Sequence, residues 1–294
     1  MDRQDVEKIV REVVTRVLEQ QAASGGAPVP DNPCLFLPDI TEEDISKWDF
    51  VHGVKAREFD ALKSRTPARL AVGNVGTRYP THTRLRFLAD HAAAKDAVES
   101  EISEGFIRQY SLPVLDSLCS GREEYITRPD LGRQLTPESI EALRGLCPAP
   151  TDVCIFLADG LSAKAIVQNG MDTLLTAKAQ LEATGLRVAS AFLVRYGRVG
   201  VMDAVSETLK CPVTCVLIGE RPGLGVADSM SAYAAYGATV GMGEARRTVI
   251  SNIHGKGTPA IEAGAWLAEL LHDMFTLKLS GIALRDAQNR EANK

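Results

Sequence analysis

DVCIFLADGLSA, residues 152–163, decides the fold. Val153 to Ala158 form an unbroken apolar run that stops at Asp159-Gly160, and a helix-forming segment follows. A short run with no polar alternation reads as a strand buried on both faces, the pattern of a parallel sheet. Three further stretches repeat the pattern downstream: LRVASAFLVRYG at 186–197, CPVTCVLIGE at 211–220 and RTVISNIH at 247–254. Helices are expected at roughly 161–184, 200–209, 228–236 and 259–278, between or after these strands. Apolar strands alternating with helices predict βαβ units. The expected fold of residues 151–294 is therefore α/β, a Rossmann-like, mostly parallel sheet covered on both faces.

Each predicted strand runs into a polar, glycine-bearing loop: DGLSA at 159–163, RYGRVG at 195–200, GERPGLG at 219–225 and NIHGKGTP at 252–259. In a parallel sheet these loops gather at the carboxyl edge, where open α/β folds bind ligands. Glycine lets a backbone approach a ligand closely, and helix N-termini at that edge favour negative charge. The motifs for particular chemistries are missing. No G-x-G-x-x-G follows the first strand, no GxxxxGK[ST] is present, and no G-x-S-x-G nucleophile elbow accompanies Ser162. His254 in its glycine-rich loop reads as a hydrogen-bonded structural residue. Glu220 at a strand end either pairs with Arg221 or accepts a hydrogen bond from a ligand. No nucleophile, base and oxyanion donor converge, so no catalytic residue and no metal ligand set is assigned.

Residues 40–150 are less regular and carry Arg78, Arg84, Arg86, Arg122, Arg128 and Arg133. ITEEDISKW can start a helix. Leu85, Leu88, Ala92 and Val98 give THTRLRFLADHAAAKDAV, residues 81–98, a helical period, and Thr136-Pro137 has the form of an N-cap followed by a first-turn proline. Arginine forks suit a carboxylate or phosphate partner, or a subunit interface. Residues 2–20 form an amphipathic leader helix through Val6, Ile9, Val10, Val13, Val14, Val17 and Leu18. The linker-like QAASGGAPVPDNP, residues 21–33, follows, and the linker is taken to run to residue 39. Such a helix either docks back on its own domain or serves as a detachable docking peptide.

The chain of 294 residues is 45% hydrophobic and 24% charged with a net charge of -5, a balance that suits a packed globular protein. An acidic chain without a basic tract is a poor nucleic-acid binder. The apolar run around Val216–Ile218 falls far short of the roughly 20 residues a membrane span needs, and the N-terminus lacks a secretion signal. Cys34, Cys119, Cys147, Cys154, Cys211 and Cys215 show no zinc spacing and are expected to be reduced thiols in a cytosolic interior.

Six motifs in register carry a resemblance. LRFLADHAAAKDAV at 85–98, YITRPDLGR at 125–133, ADGLSA at 158–163, FLVRYGRVG at 192–200, IGERPGLG at 218–225 and ISNIHGKGTP at 250–259 resemble the small (light) subunit of ethanolamine ammonia-lyase over about residues 65–285. The resemblance implies a bacterial adenosylcobalamin-dependent radical enzyme that converts ethanolamine to acetaldehyde and ammonia. It implies a large subunit whose barrel handles substrate, with the cobalt-containing coenzyme lying between large and small subunits, six copies of each. Residues 40–150 then become the subunit-interface region, and residues 151–294 the cobalamin-contacting domain.

By the same resemblance Val199, Glu220 and Val249 contact the coenzyme, with valine at 249 where the family pattern has cysteine, and Arg198 and Arg221 are second-tier candidates. The leader and linker resemble the tags that direct enzymes into bacterial microcompartments, which implies a cytoplasmic location inside such a shell. Two other readings stand beside this one. A stand-alone α/β enzyme would use Asp159, Ser162, Glu220 and His254 in one pocket, and a purely structural subunit would touch no ligand.

Overall fold

The computed structural model describes residues 39–48, 57–66, 68–147 and 150–292. The predicted leader helix 2–20, nearly all of the 21–39 linker and Cys34 lie outside the described residues. Residues 1–43 and 44–294 form separate units. In the first, the described residues make a turn in which Asp39 accepts the Thr41 N–H at 2.8 Å. The sheet belongs to the second.

Six strands make one sheet: β1 (Val114–Asp116), β2 (Val153–Ala158), β3 (Leu193–Arg195), β4 (Val213–Gly219), β5 (Met230–Tyr236) and β6 (Thr248–Ile253). Their spatial order is β1-β3-β2-β4-β5-β6. β1, β3, β2 and β4 pair in parallel, β5 is antiparallel to β4, and β6 is antiparallel to β5. β6 therefore runs in the same direction as β4. The four predicted loops do share one edge of the sheet, although the sheet is mixed and not wholly parallel.

Both faces of the central strands are buried, as the apolar runs require. Ile155, Leu157, Val213, Cys215 and Leu217 pack on one face against Leu174, Leu181, Leu267 and Leu271. Those four come from helices Met171–Ala183 and Ala260–Leu277. Cys154, Phe156, Ala158, Val216 and Ile218 pack on the other against Leu143 of helix Pro137–Leu146 and Val201, Met202 and Val205 of helix Val201–Leu209. Phe156 stacks on Phe192 with ring centroids 5.0 Å apart. The five described cysteines are free and buried.

Several expected elements form where the sequence places them. Thr136 caps its helix, its hydroxyl accepting the Ser139 N–H at 3.1 Å. The segment after β2 is helical from Ala163 to Ala183, interrupted by a π turn at Ile166–Gly170. ITEEDISKW yields only a short 3-10 turn, Ile45–Lys47.

One expectation is overturned and two are qualified. Residues 228–236 are not a helix: Met230–Tyr236 is β5, and nearly all of it is buried. Its alanines suit a helix by propensity, but burial on both faces of a sheet requires only small apolar side chains, and the tertiary setting prevails. Residues 40–150, expected from the sequence to be a mainly helical region, carry five α-helices among the described residues and also contribute β1, which joins the sheet beside β3. Three residues are too few to show a strand period. The helix expected at 81–98 forms as Thr81–Glu99, yet its apolar stripe faces outward. Thr83, Arg86, Asp90 and Ala97 are the buried residues, while Leu85 and Leu88 are 52% and 51% exposed. Among the described residues no helix is long and apolar enough to cross a membrane.

Removing the Phe156 ring should leave a cavity between β2 and β3 that neighbours cannot fill. Phe156→Ala is expected to destabilise the fold by about 3–5 kcal/mol, seen as a lower urea midpoint at unchanged slope. A shift under about 1 kcal/mol would show that the stack with Phe192 collapses without cost.

Candidate functional site at the carboxyl edge of the sheet

The chain passes from β2 to β3 on one side and then to β4 on the other, so the direction of winding reverses at β2. Open α/β sheets bind ligands where this happens. Here the protein fills that crevice itself. Leu161 N–H donates to the Gly219 carbonyl at 3.1 Å, and the Ser162 hydroxyl donates to the Ala227 carbonyl at 2.7 Å. A Cβ on Gly219 would fall 2.1 Å from the Ser162 carbonyl, so only glycine fits. Gly160, at φ +58°, makes the matching turn. Ser162 also caps the following helix by accepting the Ala165 N–H. Its hydroxyl is structural and not a nucleophile.

Asp159 is buried beside this interlock. Its carboxylate lies 3.7 Å from Arg122, and the Gly160 N–H donates to Oδ1 at 2.9 Å. Burial lifts its pKa to about 6, against the pull of the Tyr196 N–H, Arg122 and the Gly160 and Gly197 N–H groups. Asp159 lines a cavity of about 740 Å³ over the ends of β1 and β3, with Glu101, Ser117, Cys119 and Tyr196. Ser162, Glu220 and His254 are not in that lining. Burial pushes the Cys119 thiol up, so it is no thiolate nucleophile. The Tyr196 hydroxyl is engaged with Glu101 at 2.6 Å. The four residues that a stand-alone enzyme would have used are thus divided between two places.

Glu220 ends β4. Its Oε2 accepts the Ser229 hydroxyl at 2.7 Å, and its Oε1 accepts the Asn252 N–H at 3.1 Å and the Ser231 hydroxyl. Burial alone would raise its pKa, but these three donors outweigh it and hold the carboxyl below its ordinary value. It is thus held as an acceptor-only anion, and a second acceptor position on Oε2 has no partner among the described residues. Asn252, at φ +62°, turns the loop around His254. His254 Nδ1 accepts the Lys256 N–H at 3.2 Å, so the other nitrogen, Nε2, is assigned as the donor to Asn252 Oδ1 at 2.8 Å. The imidazole is buried and fully engaged, as a structural histidine should be.

Register places the remaining candidates on the same side of the sheet. Val216 and Ile218 point into the cluster that contains Phe156, and Glu220 continues their alternation. Val199, in the loop after β3, packs on the edge of that cluster, as does Tyr233. Val249 on edge strand β6 pairs with Tyr233 and is 47% exposed. Glu220 is close enough to Tyr233 to help raise its pKa, after burial. Glu220 and Val249 therefore lie beside Tyr233, while Val199 is on the same face of the sheet, packed against the same cluster from the loop after β3. Arg198 is engaged internally: its guanidinium donates to the Tyr125 carbonyl and lies 4.4 Å from the Tyr125 ring centroid. Arg221 is exposed at the edge. Ser229 and Ser231 were hidden in the segment expected to be helical; their i, i+2 spacing after a strand-end carboxylate is the signal that would have found them.

Fold and edge together define an α/β chain whose loops offer apolar contact and one anionic acceptor, with no convergent catalytic set among the described residues. The family model for the ethanolamine ammonia-lyase light chain (EutC) matches residues 56–285. Ethanolamine ammonia-lyase small subunits are similar over almost the whole chain. That of Clostridium perfringens is 46% identical, covering 97% of this chain and 93% of the relative. That of Clostridium tetani is 44% identical, covering 95% and 99%, and that of Clostridioides difficile 46% identical, covering 95% and 96%. The chain belongs to the ethanolamine ammonia-lyase light-chain family and is the small subunit of an ammonia-lyase.

Because the folded pKa of Asp159 lies above its ordinary value, its contribution to stability is greatest while the carboxyl is protonated and is lost as pH rises through about 6. The isosteric Asp159→Asn has no such dependence. The stability of the wild type relative to this variant should fall by on the order of 3 kcal/mol between about pH 4 and pH 7 in urea unfolding. A difference independent of pH would show that the backbone donors cancel the cost of burial.

Proposed function

We propose that this subunit closes one side of an adenosylcobalamin site at its interface with the large subunit of ethanolamine ammonia-lyase, and that the complex converts ethanolamine to acetaldehyde and ammonia. Glu220 carries the reading. A strand-end carboxylate kept ionised by its own chain, with an acceptor position to spare, suits the amide side arms at the corrin periphery. Val199 and Val249 supply apolar contact beside it, and van der Waals packing asks nothing of a thiol at position 249. These residues therefore fit the group. The coenzyme, when bound, supplies the radical chemistry. The residues of this chain bind its periphery, fix its orientation and keep water from that side, while substrate is handled in the large subunit.

The outward apolar stripe of helix Thr81–Glu99 supports a partner surface in the 40–150 region, with Leu85, Phe87 and Leu88 all exposed. Arg78, Arg84, Arg128 and Arg133 are exposed there as well. By the family resemblance this surface would meet the large subunit in an assembly of six large and six small subunits. A location in the cytoplasm, inside a microcompartment, rests on the amphipathic pattern of residues 2–20 and the linker after it.

Glu220→Ala should weaken adenosylcobalamin binding to the assembled complex ten- to a hundredfold in a spectroscopic titration, the equivalent of roughly 1.5–3 kcal/mol for a hydrogen bond to a charged group. Wild-type affinity in an assembled variant would instead favour the purely structural subunit. The internal bonds of Glu220 to Ser229, Ser231 and Asn252 give that second reading its own support. Deleting residues 1–20 should leave activity intact and release the enzyme from shell fractions. Loss of activity, or unchanged co-sedimentation with the shell, would refute the tag.

A further inference from the structure

Two of the three candidate contact residues lie on separate segments, and buried charge joins those segments. Val199 precedes helix Val201–Leu209 by two residues, and Val249 is the second residue of β6. Asp203 sits in the first turn of that helix, and Arg247 immediately precedes β6. Arg247 Nη2 donates to both carboxylate oxygens of Asp203, at 2.8 and 2.7 Å. The two side chains are only 3% and 7% exposed. Arg247 Nη1 bonds the exposed Glu244 at 2.8 Å and the Met242 carbonyl at 3.3 Å. One turn further along the same helix, Glu207 Oε1 accepts the Val240 N–H at 2.8 Å. Helix Val201–Leu209 is thus tied twice to the connection between β5 and β6, once by a buried ion pair and once at the surface.

We propose that Arg247 and Asp203 are positioning residues of the coenzyme site, a strut that fixes the loop carrying Val199 against the edge strand carrying Val249. This rests on the coenzyme reading of Val199, Glu220 and Val249. Neither Arg247 nor Asp203 is accessible enough to meet a ligand. Their place between two contact segments, on the face that Glu220 shares, gives them a role in the width of the site. Edge strand β6 is held by strand pairing on one side only, through β5. A bulge between Met230 and Ala232 interrupts that pairing close to Glu220. Besides the strut, helix Val201–Leu209 meets this connection through the surface contact of Glu207 and through apolar packing, Ala238 and Met242 sharing a buried cluster with Val201, Met202 and Val205. A buried pair that loses one member leaves an uncompensated charge, so the connection must move to solvate it.

The test uses the complex of large and small subunits, with adenosylcobalamin titrated spectroscopically and KM for the coenzyme measured apart from KM for ethanolamine. Arg247→Met and Asp203→Asn should each raise the coenzyme Kd and its KM about tenfold, leaving KM for ethanolamine within about twofold. Arg247→Lys restores the charge without the fork and should recover part of the loss. Glu207→Ala, at the surface, should raise the coenzyme Kd by about two- to threefold. Wild-type coenzyme affinity in assembled Arg247→Met and Asp203→Asn complexes would overturn the strut. Failure of both variants to assemble, with Glu207→Ala at wild-type affinity, would also overturn it, since the pair would then serve stability alone. Glu220→Ala measured in parallel separates the two claims. If it weakens binding while the strut variants do not, only the strut fails; if none weakens binding, the coenzyme reading fails with it.

Discussion

The contact that organises this molecule is the close approach of two loops at the carboxyl ends of β2 and β4. Gly160 and Gly219 let the backbones meet where any side chain would clash. The Ser162 hydroxyl and the Leu161 N–H lock them together. Asn169 adds a third tie from the following helix by donating to the Asp228 carbonyl at 3.0 Å. In an open α/β sheet this is the crevice a ligand would enter, and here the chain occupies it. Glu220, the first residue beyond the interlock, becomes the polar group at the rim. The mixed sheet follows the same logic. With no crossover helix after β4, the chain turns back at Ser229 and brings two serines under the Glu220 carboxylate.

How much of this was legible in the sequence depends on how strongly each segment states its period. β2 and β4 were plain, because six or seven consecutive buried residues leave no alternative to a doubly covered strand. Helices with a cap, such as the one begun by Thr136 and Pro137, were also plain. β5 was not, since alanines at 232, 234 and 235 satisfy a buried strand and a helix equally. β1 is three residues long and is recognisable only once β3 lies beside it. At the site, Glu220 could be picked out as a strand-end carboxylate. That its ionised form is maintained by Ser229, Ser231 and Asn252 could not, because those donors converge only through the pairing of β5 and β6. Val199 and Val249 have no chemistry of their own and could be proposed only through the family resemblance.

Charge is divided in a way that composition does not reveal. Of the arginines expected to face a partner, Arg122 donates to the Gly160 and Ser100 carbonyls, packing between Tyr125 and Tyr196, and Arg86 pairs with Asp90. These cations brace the structure around the interlock and along helix Thr81–Glu99. Arg78, Arg84, Arg128 and Arg133 remain at the surface. Arg128 is bound there by Asp130, an exposed pair of small energetic value. A sequence count of arginines therefore overstates the partner surface, and the outward position of Leu85 and Leu88 is the better guide to it. Apolar side chains gain more from burial in an assembly than solvated ions do.

The other end of the sheet completes the argument for a subunit. An edge strand leaves a row of backbone groups without partners, and stable monomers protect such edges with charge, bulges or a covering element. β6 carries a bulge beside it, yet it also presents Val249 and, at its flank, the Glu220 cluster, a combination poorly suited to bare solvent. The arrangement is reasonable if something apolar with amide donors at its rim lies against this face. A corrin with its side arms has that chemistry, and a large subunit enclosing it would cover the same edge. The absence of a converged catalytic set among the described residues then follows from the division of labour. On the proposed reading this chain would shape and close a site whose reacting atoms lie on the partner's side of it.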